Sequence, residues 1–422
     1  LVEKFTAAEN ILLGLKDSKW NISPSQLVKQ VEQICDHYGL YVDPRAKIWQ
    51  LSTGEQQRVE ILKALSRGGQ VLILDEPTAV LTPIEVDGLF KVLRNLALQG
   101  HTIIIITHKL NEIMDITDKV TVLRAGTKIE TRFTNTCNCS LLAKLMIGHE
   151  IVLTKQRKKI DDGKLVLQLQ NINLNNDRGL PALKDVDLEI REGEILGVAG
   201  VAGNGQKELA EVVSGIQFPE DGKILIDGID VTGFPVSKFA KIGIGHIPQD
   251  RNAEGLVLGE SVMHNAILRV YNRPPISRRG LRINSHLAKE YAKRIISEGD
   301  VRVPNISVTI RKLSGGNQQR LIVRREVDIA TRLLIAAHPT RGLDVASTND
   351  VQGALIEYRN SGKAVLLISE DLEEILALSD RIVVMYKGRI AGRFSGSIFN
   401  REEIGLAMGG ACNPDNQSII PC

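Results

Sequence analysis

Four short apolar runs recur along the chain, Val71–Leu74 and Ile103–Ile106 in the first part and Leu333–Ala337 and Val365–Ile368 in the second. They are uniformly apolar rather than alternating, and too short for helices, which predicts strands buried on both faces. The segments around them repeat as well. LSTGEQQR at 51–58 returns as LSGGNQQR at 313–320, VLILDEPTAVL at 71–81 as LLIAAHPTRGL at 333–343, and IIIITHKLNEI at 103–113 as VLLISEDLEEI at 365–375, always at an offset of 262 residues. Gly126 falls over Gly388 at the same offset. Each repeat reads as a helix opened by a Ser/Gly turn, an apolar strand, a helix, a second apolar strand, a helix, and a short strand with a Lys/Arg-Gly turn. Strands alternating with helices predict an α/β fold in which a parallel sheet is covered on both faces.

The repeats differ at the front. The second has a complete beginning at 164–212, whereas Asn265-Ala-Ile-Leu finds its match near the start of the chain in Asn10-Ile-Leu-Leu. Since Gly200 precedes Asn265 by 65 residues, its counterpart in the first repeat is expected about 55 residues before Leu1. The expected domains are therefore 1–148, incomplete at its N-terminus, and 164–409. Between them, 149–163 loses periodicity and carries Lys155, Arg157, Lys158 and Lys159, which reads as a solvated linker, and 410–422 reads as a loose tail.

Composition narrows the picture by exclusion. With 422 residues and 43% hydrophobic, the chain has material for two cores, and a net charge of +3 from 53 basic and 50 acidic residues carries no nucleic-acid signature. No apolar run reaches the roughly 18–20 residues needed to span a bilayer. The five cysteines (Cys35, Cys137, Cys139, Cys412, Cys422) lack metal-site spacing and suit reduced thiols.

The chemistry lies at the strand ends. EILGVAGVAGNGQKEL at 194–209 reads as strand, glycine-rich turn and helix start, where Gly200, Gly203 and Gly205 let backbone N–H groups converge on phosphate oxygens. A phosphate loop of the G-x-x-x-x-G-K-[ST] type would place Lys at 206 and a hydroxyl at 207, but this chain has Gln206 and Lys207. In the first repeat the strand ends in Asp75 and Glu76. Neighbouring strand residues point oppositely, so one carboxylate can hold magnesium while the other polarises an attacking water. His108 closes the next strand, placed to contact the terminal phosphate or hold that water. Ser314, Gly315 and Gly316 open a helix with a hydroxyl, bare N–H groups and a positive dipole end, a setting for an anion. The equivalent Ser52-Thr53-Gly54 has a β-branched residue that should hinder phosphate approach.

LSGGNQQR, LDEPT and the strand-end His together resemble the signature helix, Walker B strand and switch histidine of ABC-type ATPases, across about residues 1–409. The resemblance implies two tandem P-loop NTPase domains, each with a parallel-sheet core and a helical subdomain. It implies ATP and Mg2+ as ligands, with each ATP lying between one domain's phosphate loop and the other's signature helix. The fusion is similar to the ATPase of bacterial importers for simple sugars and nucleosides. LVEKFTAAENILLG and TAVLTP most resemble the nucleoside branch, served by lipoprotein receptors of the basic-membrane-protein type. A peripheral subunit on the cytoplasmic face of the plasma membrane, docked on separate permease subunits and with no transmembrane segment of its own, is implied.

On this pattern Asp75 binds the metal, Glu76 polarises the water, and Glu76 and His108 are catalytic. Ser314, Gly315, Gly316, Asn317 and Asp344 serve that intact site from the second domain. The opposite site pairs Gly200, Gly203, Gly205 and Lys207, as a displaced cation, with Ser52 and Gly54. Gln249 is its glutamine switch. There Ala337 replaces the metal-binding Asp, His338 the Glu, Glu370 the switch His, and Thr82 the Asp of the facing turn. This site is expected at most to bind nucleotide. The intact site's own glycine loop is expected in the missing front, so the chain alone is expected to be inactive. Two alternatives are a non-hydrolysing ATP-binding or regulatory protein of the same fold and a soluble fused ATPase acting on ribosomes or DNA. The latter normally carries a long charged linker helix or zinc cysteines.

Overall fold

The computed structural model describes residues 1–14, 23–51, 53–78, 81, 83–107, 109–124, 126–147, 163–176, 179–278, 280, 282–396 and 399–410. Ser52, Thr82, His108, nearly all of the expected linker and the tail beyond 410 lie outside the described residues. The chain divides into two compact units, Leu1–His149 and Glu150–Cys422.

In the first unit, helices Ala7–Leu12, Pro24–Tyr38 and Thr53–Leu65 precede β1 (Val71–Asp75), helix Pro83–Leu98 and β2 (Thr102–Ile106). Helix Leu110–Ile116 then leads to β3 (Lys119–Arg124), β4 (Thr127–Phe133) and helix Cys139–Ile147. Helix starts follow local chemistry: Thr6 with Glu9 and Ser23 with Gln26 form reciprocal capping boxes, the second followed by Pro24. β1 and β2 are parallel, Val71 beside Thr102 through Asp75 beside Ile106, and β3 and β4 form a separate antiparallel pair.

The second unit opens with an antiparallel sheet of β5 (Leu165–Asn175), β6 (Pro181–Arg191), β8 (Asp221–Ile226) and β9 (Ile229–Asp230), interrupted in sequence by β7 (Ile195–Ala199). After β10 (Ile244–Ile247), a helical portion containing Val262–Ile267, Ser285–Glu298 and Gly315–Ile329 carries a small hairpin of β11 (Ser277–Arg278) and β12 (Arg282–Ile283). β13 (Leu333–Ala337), β14 (Ala364–Ser369), β15 (Arg381–Tyr386) and β16 (Arg389–Ser395) complete the main sheet, ordered β10-β13-β14-β7-β15-β16 and parallel except for the last strand. Alternate residues feed opposite cores: Leu333, Ile335 and Ala337 join one cluster, Leu334 and Ala336 the other. Two buried faces explain the unbroken apolar run.

The 262-residue offset superposes β1 to β4 on β13 to β16. In the second unit β7 pairs with both β14 and β15, whereas in the first β2 and β3 belong to separate sheets. Burial changes accordingly. Val71, Ile73, Ile104 and Ile106 are 56%, 63%, 46% and 51% exposed, while their counterparts Leu333, Ile335, Leu366 and Ile368 are 1% or less. That second-unit face packs on the helix Gln206–Val213 and the antiparallel sheet, through Leu209, Val212, Val213 and Ile224.

The match of Asn10 with Asn265 has a physical basis. Both are buried, and the Asn10 amide holds Val2 N–H, Val2 O and Thr6 O as the Asn265 amide holds Val257 N–H, Val257 O and Ser261 O. Isolated bridges Thr6–Lys47 and Ser261–Thr309 follow the same correspondence.

Candidate functional site

β1 delivers Asp75 and then Glu76, both solvent-exposed, at its C-terminal end. The last ladder bond runs from Glu76 N–H to Ile106 O at 2.8 Å, with Glu76 at φ +45°, a left-handed conformation that costs a non-glycine residue about 1 kcal/mol or more. Beyond this point the backbone ladder stops and side chains take over. The buried Thr78 hydroxyl donates to Glu112 Oε2 at 2.7 Å, and Thr107 Oγ1 reaches the same oxygen at 3.5 Å while accepting from Lys109 N–H at 3.0 Å. Lys109 Nζ lies 3.4 Å from Glu112 Oε1 and donates to Thr78 O at 3.1 Å. His108 sits in sequence between two residues of this network but lies outside the described residues.

The second unit repeats the backbone and changes the chemistry. His338 has φ +47° and donates its N–H to Ile368 O at 2.7 Å, matching Glu76. Thr340 donates to Glu374 Oε1 at 2.7 Å, and Ser369 to Glu374 Oε2 at 2.6 Å. Glu374 has no equivalent of Lys109, because Asp371 occupies that position, and burial pushes its carboxyl up to about 7 despite the two hydroxyls. Burial, with a smaller contribution from Arg341, holds the His338 imidazole down at about 4, so it is neutral at pH 7. Its Nε2 stands 4.0 Å from Glu370, whose carboxyl is itself raised by burial, a contact without a strong ion pair.

The glycine loop follows β7. Gly203 and Gly205 have φ +84° and +101°, and a Cβ on Gly205 would fall 2.6 Å from Ala182 O, so a side chain there meets both strain and a backbone clash. Asn204 fixes the loop by accepting from Lys387 N–H at 2.8 Å and Gly388 N–H at 3.1 Å. Gln206 is buried, its Nε2 has no hydrogen-bond partner among the described residues, and that atom sits 2.6 Å from where a Cβ on Gly200 would be. Lys207 is turned to Glu211, Nζ to Oε1 3.6 Å, and is 61% exposed. Gln206, Lys207, Gln249, His246, Ala337 and His338 converge on a cavity of about 10 Å³, room for about one water. His246 is also neutral there, lowered to about 4 chiefly by burial.

A magnesium ion takes hard oxygen donors, usually one or two carboxylates beside phosphates and water. Asp75 at an exposed strand end fits that demand. Ala337 offers no donor at the position of Asp75, and the cavity beside it is lined by the neutral imidazoles of His246 and His338, the amides of Gln206 and Gln249, and Lys207, Glu211 and Glu254. A second pocket of about 260 Å³ lies on the loop's other flank, lined by Asn176, Lys184, Gly203, Gly205, Glu208 and Lys387 among others. Gly203 and Gly205, which the sequence marked as the phosphate cradle, line this pocket, while Asn176, Lys184 and Glu208 were not among the expected site residues.

Ser314, Gly315, Gly316, Asn317 and Asp344 come together within the second unit. Ser314 caps helix Gly315–Ile329, accepting from Asn317 N–H at 3.4 Å and Asn317 Nδ2 at 3.0 Å. The paired glycines, which the sequence offered as evidence of phosphate approach, have a reason inside the unit. A Cβ on Gly315 would lie 2.8 Å from Arg251 Nη2, and one on Gly316 would lie against Ser347, whose hydroxyl donates to Asp344 Oδ2 at 3.0 Å. Gly54 repeats the arrangement, its missing Cβ 2.7 Å from Glu85 Oε1.

The profile of the family described as "ABC transporter" matches residues 1–79 and 183–341, which is more than half of the chain. The chain belongs to the ABC transporter family. The guanosine import ATP-binding protein NupO of Bacillus subtilis is 45% identical over 97% of this chain and 81% of its own length. The nucleoside import ATP-binding protein NupA of Lactococcus lactis is 41% identical over the same shares, and the ribose import ATP-binding protein RbsA of Corynebacterium glutamicum 37% over 93% and 73%. In fold, the chain is similar to one in the crystal structure of an archaeal ribosomal stalk protein with an archaeal ribosome recycling factor, at TM-score 0.63 and 19% identity, over 93% of this chain and 71% of that one. Membership of the ABC transporter family makes ATP the nucleotide of these motifs. Among the described residues, no helix is long and apolar enough to cross a membrane.

Proposed function

We propose that this ABC transporter ATPase energises inward transport of a nucleoside through separate integral-membrane permease subunits, as a peripheral subunit on the cytoplasmic face of the plasma membrane. Relatives that import guanosine and nucleosides, at 45% and 41% identity, support a nucleoside over a simple sugar, and the substrate reaches the permease from a substrate-binding lipoprotein. The observation that carries the reading is the pair of strand ends. One backbone geometry presents Asp75 and Glu76 in the first unit and Ala337 and His338 in the second.

In this reading Asp75 holds Mg2+, which neutralises charge on the phosphates when bound. Glu76 orients the attacking water and draws on its proton, and His108 contacts the terminal phosphate. Ser314, Gly315, Gly316, Asn317 and Asp344 serve that hydrolytic site. Gly200, Gly203, Gly205, Lys207, Gln249, Ser52 and Gly54 bind nucleotide without turning it over. Non-hydrolysing binding thus describes one site rather than the whole protein.

The test uses the complete transporter in vesicles, with guanosine and ribose as alternative labelled substrates. ATP-dependent guanosine uptake is expected, abolished by Glu76→Gln with ATP binding intact, since the amide keeps the shape but loses the base. Ribose uptake without guanosine uptake would reject the nucleoside reading. Undiminished turnover in the variant would remove Glu76 from its role.

A further inference from the structure

The strand-end network contains a residue that none of the motifs includes. We propose that Glu112 is a positioning residue for hydrolysis, clamping the end of β1, which carries Asp75 and Glu76, to the end of β2, which precedes His108 in sequence. The inference rests on the catalytic reading of those three residues.

β1 and β2 share backbone bonds only as far as Glu76 N–H to Ile106 O. Past that rung the chains diverge, one into Pro77-Thr78 and the other into Thr107 and residue 108. Glu112 Oε2 takes the hydroxyl of Thr78 at 2.7 Å and that of Thr107 at 3.5 Å, so one carboxylate oxygen serves as the next rung. Lys109 fastens the arrangement, 3.4 Å from Oε1 and bonded to Thr78 O, and its own N–H returns to Thr107 Oγ1. Thr107 and Lys109 are thus both tied to the Glu112 carboxylate. Thr78 is 1% exposed, so its hydroxyl has no water to turn to if Glu112 is lost.

The second unit supplies an independent instance. Thr340 donates to Glu374 Oε1 at 2.7 Å and Ser369 to Oε2 at 2.6 Å, so the corresponding residues are linked through both carboxylate oxygens rather than one, and Asp371 N–H returns to Ser369 Oγ at 3.1 Å. A shared clamp around altered chemistry shows that the network belongs to strand-end geometry. Only in the first unit does that geometry aim carboxylates, so only there does its loss cost turnover.

The experiment compares Glu112→Ala, Glu112→Gln, Thr78→Val, Glu374→Ala and Glu76→Gln in the complete transporter with its permease. Glu112→Ala is expected to lower kcat roughly tenfold, the scale of losing one charge-assisted hydrogen bond, with KM for ATP within about twofold. Amide hydrogen exchange should quicken at 103–109. Glu112→Gln keeps an acceptor for Thr78 and should recover most of kcat. Thr78→Val, which preserves volume, should lower kcat several-fold and guards against a Glu112→Ala chain that fails to fold. Glu374→Ala should lower the melting temperature while sparing kcat. The proposal is overturned if Glu112→Ala and Thr78→Val keep parental kcat. It is equally overturned if kcat, KM and melting temperature fall together without rescue by Gln. Glu76→Gln separates the two failures: parental turnover there rejects the catalytic reading, whereas an inactive Glu76→Gln beside a normal Glu112→Ala rejects the clamp alone.

Discussion

Replacing Glu374 by Gln should stabilise the second unit, and by an amount that depends on pH. The carboxyl is buried, receives hydroxyl bonds from Thr340 and Ser369, lacks the cation that Lys109 supplies in the first unit, and titrates at about 7. In the unfolded chain it titrates near its ordinary value of 4.5. Between those values the folded state holds a proton that the unfolded state has released, so stability falls as pH rises through the window and levels off above it. The full difference corresponds to roughly 3 kcal/mol at pH 8 and under about 1 kcal/mol at pH 5, taking about 1.4 kcal/mol per pKa unit. A Gln side chain has the same shape, still accepts one hydroxyl, and carries no such penalty. Urea unfolding of matched parent and variant, followed by circular dichroism at pH 5 and pH 8, should show the variant's advantage growing by about 2 kcal/mol between the two. Neutral His246 and His338 make the parent's own curve rise from acid pH, since each titrates at about 4 in the fold and higher when unfolded, but they are common to both chains and cancel. Parallel curves for parent and variant would show that Glu374 is ionised in the fold at pH 5 and refute the reasoning.

The remaining predictions concern the contrast between units. Ser314→Arg should block hydrolysis in the complete transporter, whereas Ser52→Arg should largely spare it, with matched ATPase rates as the measurement; equal losses would mean that both sites must close for turnover. Ile73→Thr should change the chain's stability by no more than about 0.5 kcal/mol, while Ile335→Thr, at the corresponding but fully buried position, should cost about 2 kcal/mol or more by thermal melting.

The alternation of strands and helices, and the 262-residue repeat, were legible because strands buried on both faces write themselves as unbroken apolar runs. Val71–Leu74 and Leu333–Ala337 look alike for that reason. Their different burial was not legible, because it depends on what lies against the sheet: the helix Gln206–Val213 and the antiparallel sheet pack on the face that holds Ile335 but have no counterpart over Ile73 among the described residues. Left-handed Glu76 and His338 were hidden for a different reason, since neither is the glycine or asparagine that usually marks that conformation. Gly315 and Gly316 were visible but open to two readings. Nothing local to LSGGNQQR reveals that Arg251 and Ser347 come from distant segments to occupy the space of their missing side chains. Glu112 and Glu374 were aligned by the repeat, yet a lone glutamate two residues into a helix carries no visible purpose until Thr78 and Thr107 are seen to share it.

The two units share the parts of the strand end that are structurally expensive. The left-handed residue, its ladder bond and the hydroxyl–Glu clamp recur at 338, 340, 369 and 374, where the strand ends in Ala337 and His338 rather than in two carboxylates. Strain of this kind persists only where surrounding contacts enforce it, and here the contacts are the core strands β13 and β14, which the fold cannot give up. The carboxylates are different. Ala337 and His338 stand at the corresponding positions, and Ala337 keeps with Ile368 the register that Asp75 keeps with Ile106. Gln206, shorter than lysine and uncharged, is buried beside Gly200, and Lys207 turns outward to Glu211. An ionised lysine at 206, enclosed in a space of about 10 Å³, would need Glu211 or Glu254 as its counter-ion, and Glu211 already faces Lys207. A neutral side chain at 206 is therefore the stable choice beside Ala337 and the neutral His338.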